Sequence, residues 1–472
     1  MEIKTQLLVI GGGPGGYTAA FHAADKGLQV TIVDMRKNPG GVCTWEGCIP
    51  SKALLHISNL IYEAREAKKW GINYTEPKID LDKLRDYKNS VIYKLTSGLG
   101  QLAKTRKVNY VQGRASFKNS KTVIVKKTDG NEDEITFDNC IVATGSEPTK
   151  VPNLFFNSPH IIDSTAALEL NDIPQKMLVV GGGYIGLELG TVYAMLGSKV
   201  TVVEMMPGLL PGADRDLVSV LAKNINQIMD AVYLETKVTE LKEVKNGIEV
   251  KFIGNNIKEP VQVFDKVLIS VGRKPVTTSL GLENTKVKVN QKGFIDVNQQ
   301  MKTDDANIYA IGDVVGNPML AHKAFAEAKV AVESILGYKV AFEPNAIPAV
   351  VFTNPELAWT GITETEAKER GIKYEVAKFP WAASGKATSI DRNDGLTKLI
   401  IDPDTQRVLG MGIVGVGAGD MISEGTLAIE MAAVAKDIAL TIHPHPTLSE
   451  TISGAAEVFY GEAIEYYRPR KK

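Results

Sequence analysis

Two cysteines that lie five residues apart, Cys43 and Cys48, stand in a glycine-rich segment, residues 40–52. Thiols at this spacing can form a redox disulfide, remain free, or supply two ligands to a metal. A zinc site needs further Cys or His ligands at suitable spacing, and none lies nearby. In a straight helix, residues five apart rise about 7.5 Å, whereas a disulfide tolerates a Cα separation of only about 4.4–6.8 Å. A disulfide here therefore requires a bend, for which Gly47 has the conformational freedom.

The residues after this pair predict a helix that begins close to Cys48. Pro50 is typical of the first turn of a helix, and residues 53–56 continue it. A thiolate near a helix N-terminus is stabilised by unpaired N–H groups and by the helix dipole. The third cysteine, Cys140, lies in an apolar strand and is expected to be a buried packing residue.

A second candidate pair, His445 and Glu450, lies near the C-terminus in IHPHPTLSE, residues 442–450. Prolines on both sides restrain His445, and a carboxylate on one imidazole nitrogen fixes the tautomer and raises the basicity of the other nitrogen. Taken alone, such a segment is more often a rigid loop. Opposite a redox disulfide, we expect it to exchange a proton with a substrate thiol.

The elements that must position these side chains include one pattern that occurs twice, in residues 7–34 and 178–204. Each copy is an apolar strand, a glycine-rich turn, an amphipathic helix, a second apolar strand and an acidic residue. In such a unit one glycine makes the turn, one lets the backbone approach a pyrophosphate, and one lets helix and strand pack closely. The phosphates then lie at the helix N-terminus. The glycines are Gly11, Gly13 and Gly16 in the first copy and Gly181, Gly183 and Gly186 in the second.

Two such units predict that the chain binds two adenine dinucleotides, with Asp34 and Glu204 accepting hydrogen bonds from ribose hydroxyls. The first site lies next to the cysteine pair, which suits a tightly held flavin and favours the redox-disulfide interpretation. In the second site Glu204 would repel a 2′-phosphate, and residues 205–207 (MMP) supply no arginine to receive one. We therefore expect NAD rather than NADP in the second site.

Two shorter segments also fit a flavoprotein. Residues 140–146 form an apolar strand that runs into a small-residue turn containing Thr144 and Gly145. Residues 308–313 form another strand, and Asp313 at its end can reach a polyol hydroxyl if that end lies beside a flavin. Strands often end in Gly and Asp for turn chemistry alone, so neither segment is decisive by itself.

Composition restricts the class of protein. The 472 residues are 44% apolar with a formal net charge of −1, which predicts about three globular domains. Interspersed charges argue against nucleic-acid binding, which needs a concentrated basic stripe. The one basic cluster, residues 468–472, is expected to be a solvated terminus. No apolar run is long enough to span a bilayer, and a strand at residues 6–10 leaves no room for a signal peptide. We expect a cytoplasmic protein without a metal.

Together these motifs resemble the pyridine nucleotide–disulfide reductase family, and within it the members that oxidise dihydrolipoamide. The resemblance covers essentially the whole chain and rests on GGVC-x4-CIPSKALLH, AIGD, MLAHK, FPWAASG and TIHPHPTLSE. It implies that His445 deprotonates the dithiol, that Cys43 is attacked, and that Cys48 becomes a thiolate beside the flavin. Electrons then pass to FAD and, as hydride, to NAD. It also implies that Lys52, paired with Glu188, tunes the flavin, although a lysine there is more commonly a helix-surface residue.

The resemblance further implies cofactor contacts beyond the motif glycines. For FAD these are Asp34, Lys52, Ala115, Thr144, Gly145, Asp313 and Ala321, and for NAD they are Glu204, Val238 and Gly272. It implies a homodimer whose active sites combine residues of both subunits. It also implies substrates carried on lipoyl domains of 2-oxoacid dehydrogenase acyltransferases, with glycine cleavage left open.

Two features depart from the family pattern. Residues 44–46 (TWE) replace the usual LNV, and Tyr184 stands where an aliphatic residue is common, resembling the nicotinamide-gating tyrosine of glutathione reductase. Two alternatives stay open: another flavin disulfide reductase of the glutathione-reductase kind, and a non-catalytic dinucleotide-binding component of a complex. The lack of basic residues after Glu204 argues against the first. A missing cysteine or a missing His–Glu pair would mark the second, and all four residues are present.

We therefore expect an α/β protein with four regions. An FAD domain (1–147) and an NAD domain (148–275) should both be doubly wound. A segment (276–345) completes the FAD site, and a C-terminal α+β domain (346–472) forms the dimer interface.

Overall fold

The structure is a computed structural model, and it describes residues 2–152, 154–255 and 257–467. The basic cluster at 468–472, predicted to be a solvated terminus, lies outside these ranges. None of the helices formed by the described residues is long and apolar enough to cross a membrane.

The first part of the chain alternates strands with helices in two successive units. The first unit contains β1 (Glu2–Ile10), α1 (Pro14–Asp25), β2 (Val30–Asp34), α2 (Gly41–Glu46), α3 (Cys48–Glu66), α4 (Leu81–Thr105), β3 (Asn109–Asn119), β4 (Thr122–Lys127) and β5 (Glu132–Val142). The second contains β6 (Ser146–Pro148), β7 (Ile161–Ile162), α5 (Ser164–Glu169), β8 (Lys176–Val180), α6 (Tyr184–Met195), β9 (Lys199–Val203), α7 (Arg215–Ile228), β10 (Ala231–Tyr233), β11 (Thr236–Val244), β12 (Gly247–Gly254), β13 (Val261–Phe264), β14 (Lys266–Ile269) and β15 (Arg273–Pro275).

The remaining elements form a return segment and a C-terminal unit. The return segment contains β16 (Ile308–Ala310) and α8 (Ala321–Ile335). The C-terminal unit contains β17 (Ala349–Val351), β18 (Glu356–Gly361), α9 (Glu364–Glu369), β19 (Glu375–Pro380), α10 (Gly385–Ser389), β20 (Leu396–Ile401), β21 (Val408–Gly415), α11 (Ala418–Glu430), α12 (Ala435–Leu440) and α13 (Glu450–Tyr460).

The sheet of the first unit is built around β1. Strand β1 pairs in parallel with both β2 and β5, and β2 pairs in parallel with β3. The late strand β16 returns to pair in parallel with the other edge of β5. Residues 7–10 of β1 are buried on both faces, as their continuous apolar run predicts for a parallel strand covered on each side. Helix α1 packs closely because its buried face is glycine and alanine.

The second unit repeats this arrangement. Its parallel sheet has the order β10-β9-β8-β14-β7, and a three-stranded antiparallel sheet of β11, β12 and β13 lies beside it. The C-terminal unit is a five-stranded antiparallel sheet, β17-β18-β21-β20-β19, against which α11 and α13 pack. The predicted fold class, two doubly wound α/β units followed by an α+β unit, is confirmed. The residue boundaries that we give to the four regions stay a prediction.

The FPWAASG motif has a packing role in the C-terminal unit. Trp381 is fully buried, and its indole N–H donates to Oγ1 of Thr397 at 2.9 Å. A Cβ atom at Gly395 or at Gly415 would lie 2.3 Å from the indole ring. Glycine at these two positions therefore leaves the space that the ring fills.

Candidate active site

A cavity of about 210 Å³ lies where the first glycine turn, the cysteine segment and the second unit meet. Its wall brings together residues that are as much as 313 positions apart in the sequence, Gly11 and Ala324. The predicted site residues that line it are Gly11, Gly13, Asp34, Cys43, Cys48, Lys52, Thr144, Gly145, Glu188, Asp313 and Ala321.

The cysteine pair spans the bend that its spacing requires. Helix α2 ends at Glu46, Gly47 separates the two helices, and α3 begins at Cys48. A Cβ atom at Gly47 would lie 2.9 Å from the carbonyl oxygen of Val42, so a larger residue would push the helices apart. The predicted bend at Gly47 and the position of Cys48 at a helix start are both confirmed.

The two thiols differ in proton affinity. When both are thiols, the hydrogen bond between them raises the pKa of Cys43, and burial raises it further. The same hydrogen bond lowers the pKa of Cys48 to about 7, against the opposing effect of burial, and the nearby ammonium of Lys52 lowers it as well. Cys48 is therefore the sulfur that carries the negative charge near neutral pH.

The Lys52–Glu188 pair ties three parts of the chain together. Nζ of Lys52 lies 2.8 Å from Oε2 of Glu188, whose side chain is only 4% exposed. The same oxygen accepts from Oγ of Ser51 at 3.1 Å, and Oε1 accepts from the backbone N–H of Phe352 at 3.0 Å. The Phe352 ring lies 4.4 Å below Nζ of Lys52, which is a cation–π contact. The pair therefore joins the cysteine helix to the second unit and to the C-terminal unit.

The first glycine turn is shaped to receive a dinucleotide. A Cβ atom at Gly11 would lie 2.3 Å from the carbonyl oxygen of Ala143, and one at Gly16 would lie 1.8 Å from that of Gly11. Both glycines are therefore required by the protein's own packing. At Gly13 the nearest atom to a Cβ would be a glycine Cα at 3.8 Å. A side chain there would instead fill the cavity in front of α1, where a pyrophosphate can approach the uncapped helix.

The three glycines of the second turn have the same roles as those of the first. A Cβ atom at Gly181 would lie 2.5 Å from the carbonyl oxygen of Ser270, and one at Gly186 would lie 2.2 Å from that of Gly181. At Gly183 no described residue places an atom within 4 Å, and no side-chain hydrogen bond caps α6. The residues of both turns therefore fit a dinucleotide, with the middle glycine keeping its space open in each.

The acidic residue that ends each repeat is oriented by its own turn. Asp34 accepts the backbone N–H groups of Gly12 at 2.6 Å and Arg36 at 2.8 Å, one on each oxygen. Glu204 accepts the N–H groups of Gly182 at 2.7 Å and Met206 at 2.8 Å in the same manner. Each carboxylate oxygen keeps a second lone pair. Both side chains are thus held in place and can still accept from a ribose hydroxyl.

Asp313 is linked to the starts of β6 and β15 by two residues that the sequence did not single out. Its carboxylate accepts from Oγ of Ser146, which itself accepts from Nε of Arg273 at 2.7 Å. Arg273 also lines the cavity and donates to the carbonyl oxygen of Ser146 at 2.7 Å. No spacing rule predicts this bridge, because its members come from strands far apart in the chain. The only signal is that Ser146 and Arg273 directly follow residues already marked, Gly145 and Gly272.

Several predicted residues lie outside the cavity wall. The side chains of Ala115 and Val238 are buried in the apolar cores of the two units, so only their backbone atoms are available to a ligand. Gly272 has a φ of +111° and open space where a side chain would stand. The other predicted residues beyond the wall are Gly16, Gly181, Gly183, Gly186, Glu204, His445 and Glu450.

His445 and Glu450 form the predicted pair at the far end of the chain. Nδ1 of His445 lies 2.8 Å from Oε1 of Glu450, and Oε2 accepts the backbone N–H of Thr447 at 2.6 Å. Burial opposes ionisation of Glu450, but these two contacts lower its pKa. The His445 side chain is 78% exposed. Within the described part of the chain, its Nε2 atom has no hydrogen-bond partner.

One cluster of carboxylates has the spacing of a metal site, and a lysine fills it. Carboxylate oxygens of Asp214, Asp216 and Glu364 all lie within 4.8 Å of one another. Nζ of Lys398, a fully buried side chain, lies 2.8 Å from Asp214 and 3.0 Å from Asp216 and also contacts Glu364. The ammonium thus offsets part of the negative charge of the cluster and joins α7 of the second unit to the C-terminal sheet.

Known families match almost the whole chain. The family described as "Pyridine nucleotide-disulphide oxidoreductase" matches residues 5–328, and its "dimerisation domain" matches residues 347–456. The chain is 49% identical to a dihydrolipoyl dehydrogenase of Haemophilus influenzae, over 100% of this chain and 98% of that protein. It is 50% identical to a dihydrolipoyl dehydrogenase of Vibrio cholerae, over 100% and 99%.

Solved structures show the same architecture. The crystal structure of LpdA from Mycobacterium tuberculosis matches with a TM-score of 0.89 at 25% identity, covering 96% of this chain and 99% of that one. The HOCl-induced flavoprotein disulfide reductase RclA from Escherichia coli matches with a TM-score of 0.84 at 27% identity, over 96% and 99%. FAD and NAD are the cofactors that fit the two glycine turns, and the C-terminal match indicates a homodimer. The chain belongs to the pyridine nucleotide-disulphide oxidoreductase family.

Proposed function

We propose that this protein is a dihydrolipoyl dehydrogenase, which oxidises dihydrolipoamide to lipoamide and reduces NAD to NADH. The observation that carries the proposal is the pairing of Cys43 and Cys48 at a helix start inside the cavity of the first glycine turn. The names of the Haemophilus and Vibrio relatives support the choice of substrate. We further propose that the dithiol arrives on lipoyl domains of 2-oxoacid dehydrogenase complexes.

In this proposal His445 is the general base. Glu450 holds Nδ1, so the exposed Nε2 is the nitrogen that can take a proton from a substrate thiol. The reaction starts from the oxidised protein, in which Cys43 and Cys48 form a disulfide. The substrate thiolate attacks Sγ of Cys43, the Cys43–Cys48 bond breaks as a mixed disulfide forms, and Sγ of Cys48 leaves as a thiolate. The second substrate thiol then loses its proton to solvent and attacks the substrate sulfur of the mixed disulfide, which releases lipoamide and the thiolate of Cys43. His445 returns its proton to that sulfur.

The assignment of the two sulfurs follows from their environments. Cys48 is the better leaving group because its pKa is lowered to about 7. The ammonium of Lys52, held by the buried Glu188, lowers the pKa of Cys48 and so stabilises its thiolate. When bound, FAD supplies the electron acceptor for this thiolate and the hydride that NAD receives.

The preference for NAD is proposed from the surface around Glu204. Its carboxylate is fixed by two backbone N–H groups and would repel a 2′-phosphate. The next two residues, Met205 and Met206, have 64% and 46% of their surface exposed and offer no positive charge. Removal of the acid and provision of an arginine would be needed to accept NADP.

We also propose that each active site is shared between two subunits. His445 is exposed in the single chain, whereas the cysteines lie in the cavity wall. The dimerisation domain, which carries His445, would bring that residue to the cysteines of the partner subunit.

The test is an assay of the purified holoprotein with two substrate pairs, dihydrolipoamide with NAD and glutathione disulfide with NADPH. We expect turnover with the first pair and little with the second. Turnover with glutathione disulfide and NADPH alone would replace the proposal with a glutathione-reductase-like activity. Bound dinucleotides without turnover of either pair would indicate a non-catalytic component.

A further inference from the structure

A second histidine–glutamate pair lies two residues before His445. Nε2 of His443 is 2.9 Å from Oε1 of Glu424, a residue of α11. The other ring nitrogen, Nδ1, is 2.9 Å from the carbonyl oxygen of Thr441. The side chain of His443 is only 7% exposed, against 78% for His445. The two histidines of the HPH segment are therefore in very different environments.

The contacts of His443 determine its protonation state. A carbonyl oxygen can only accept a hydrogen bond, and an ionised carboxylate can only accept as well. A neutral imidazole has one N–H and could satisfy only one of these partners, while its other nitrogen would point a lone pair at an oxygen. Both contacts are satisfied when both nitrogens of His443 carry protons.

We infer that His443 is a protonated positioning residue, which anchors the loop of the base His445 to helix α11 by donating from both ring nitrogens. This inference rests on the proposed function of His445. It gives the two neighbouring histidines opposite roles. His443 keeps both of its protons throughout the reaction, whereas His445 has one nitrogen free to exchange a proton.

The loop is fixed at both ends, which is what a positioned base requires. Before His445, the imidazolium of His443 joins the loop to Glu424. After it, Oγ1 of Thr447 donates to the carbonyl oxygen of Pro444 at 2.7 Å, and Glu450 accepts the N–H of Thr447. Without the anchor at His443, the loop would be held mainly from the side of α13. The Nε2 atom of His445 would then be less well aligned with its target.

The surroundings of His443 favour a positive charge. Carboxylates face it from two helices: Glu424 from α11, and Glu450 and Glu457 from α13, whose ionised forms it helps to stabilise. Lys436 of α12 also acts on Glu457. His445 itself is the remaining titratable neighbour in the loop. The carboxylates outnumber the basic groups around the imidazolium.

The protonation state can be measured directly on the holoprotein labelled with ¹⁵N-histidine. At about pH 8, well above the ordinary histidine pKa of about 6.5, we expect one ring with both nitrogens protonated. That signal should vanish in His443→Gln. It should persist in His160→Gln, a matched control in which the replaced ring has its Nδ1 atom against the carbonyl oxygen of Asp265. A neutral His443 ring at this pH would overturn the inference.

The positioning role predicts a selective kinetic defect. In His443→Gln, reoxidation of the reduced protein by lipoamide should slow by about tenfold to a hundredfold, since misplacement of a base has effects of this size. Reduction of the protein by NADH, which does not use His445, should keep its wild-type rate, as should flavin content and dimerisation. Equal losses in both half-reactions, or no loss, would contradict the role. If His445→Ala keeps full activity, the proposed base is wrong, whatever His443 does.

Discussion

The cysteine half and the histidine half of the proposed site are built differently. Cys43 and Cys48 lie in a cavity wall, beside a Lys52–Glu188 pair that three parts of the same chain hold in place. His445 lies on the outer surface of the C-terminal unit, with a side chain that is 78% exposed. The residues of the cysteine half all line one cavity within one chain. In the histidine half, Glu450 holds Nδ1 of His445, and the Nε2 atom faces solvent. The difference supports the proposal that a second chain completes the site.

The largest effect is expected at the cysteine half. Cys43→Ser and Cys48→Ser should each abolish oxidation of dihydrolipoamide, because either change removes a sulfur that the exchange needs. The two variants should differ in their absorbance spectra. Cys43→Ser should keep a long-wavelength band from a thiolate beside the flavin, and Cys48→Ser should lack it. A band found only in Cys48→Ser would reverse the roles of the two sulfurs.

The histidine half should give a large but incomplete loss. Removal of a general base commonly costs about 10²–10⁴ in rate, so we expect His445→Ala to lose that much turnover while retaining flavin. Glu450→Gln should lose less, since Gln keeps the shape but not the charge that holds Nδ1. Steady-state assays of the three proteins check this order. If Glu450→Gln had a lower turnover than His445→Ala, Glu450 would do more than orient the ring.

The choice between NAD and NADP is proposed to depend on Glu204, which lies outside both halves of the site. Changing that choice should therefore leave the disulfide exchange and the proton transfer unaffected. Glu204→Ala combined with Met205→Arg removes a repulsive charge and adds a phosphate partner. The preference for NAD over NADP should fall by about tenfold, which corresponds to about 1.4 kcal/mol. The specificity constants for both coenzymes measure it, with Met205→Gln as the uncharged control. Equal wild-type efficiency with NAD and NADP would refute this reading of the second turn.

The smallest predicted effect is a pH shift within the cysteine half. The pKa of Cys48 is lowered to about 7 by Cys43 and Lys52, so its thiolate is present above that pH and is protonated below it. The long-wavelength band of the reduced protein should therefore grow as pH rises through about 7. Lys52→Met removes a cation that favours the thiolate, so the midpoint should move upward. An unchanged midpoint would mean that Lys52 does not act on Cys48.

Local patterns predicted most of the fold and part of the site. Both glycine turns, the bend at Gly47 and the helix start at Cys48 follow from rules that operate within a few residues. Glycine is needed where a Cβ would strike a carbonyl oxygen, as at Gly11. Such constraints leave a mark in the sequence because no other residue satisfies them.

Contacts between residues far apart in the chain could not be predicted from local sequence patterns. Phe352 contacts Lys52 from 300 positions away, and in the sequence it is only one more apolar residue of a strand end. Lys398 has no feature in the sequence that distinguishes it from a surface lysine, but its side chain is fully buried among carboxylates. His443 was indistinguishable from a loop histidine until the partners of both ring nitrogens were known. These roles depend on which elements meet, which local spacing does not encode.

The most direct test of the shared site uses mixed dimers of His445→Ala and Cys48→Ser chains, isolated through two different tags. Each parent homodimer lacks an essential group at both sites and should be nearly inactive. If cysteines and histidine come from different chains, one of the two sites in a mixed dimer is intact. The mixed dimer should then have about half of wild-type activity. If both groups come from the same chain, every site carries a defect. Mixed dimers no more active than their parents would contradict the shared site.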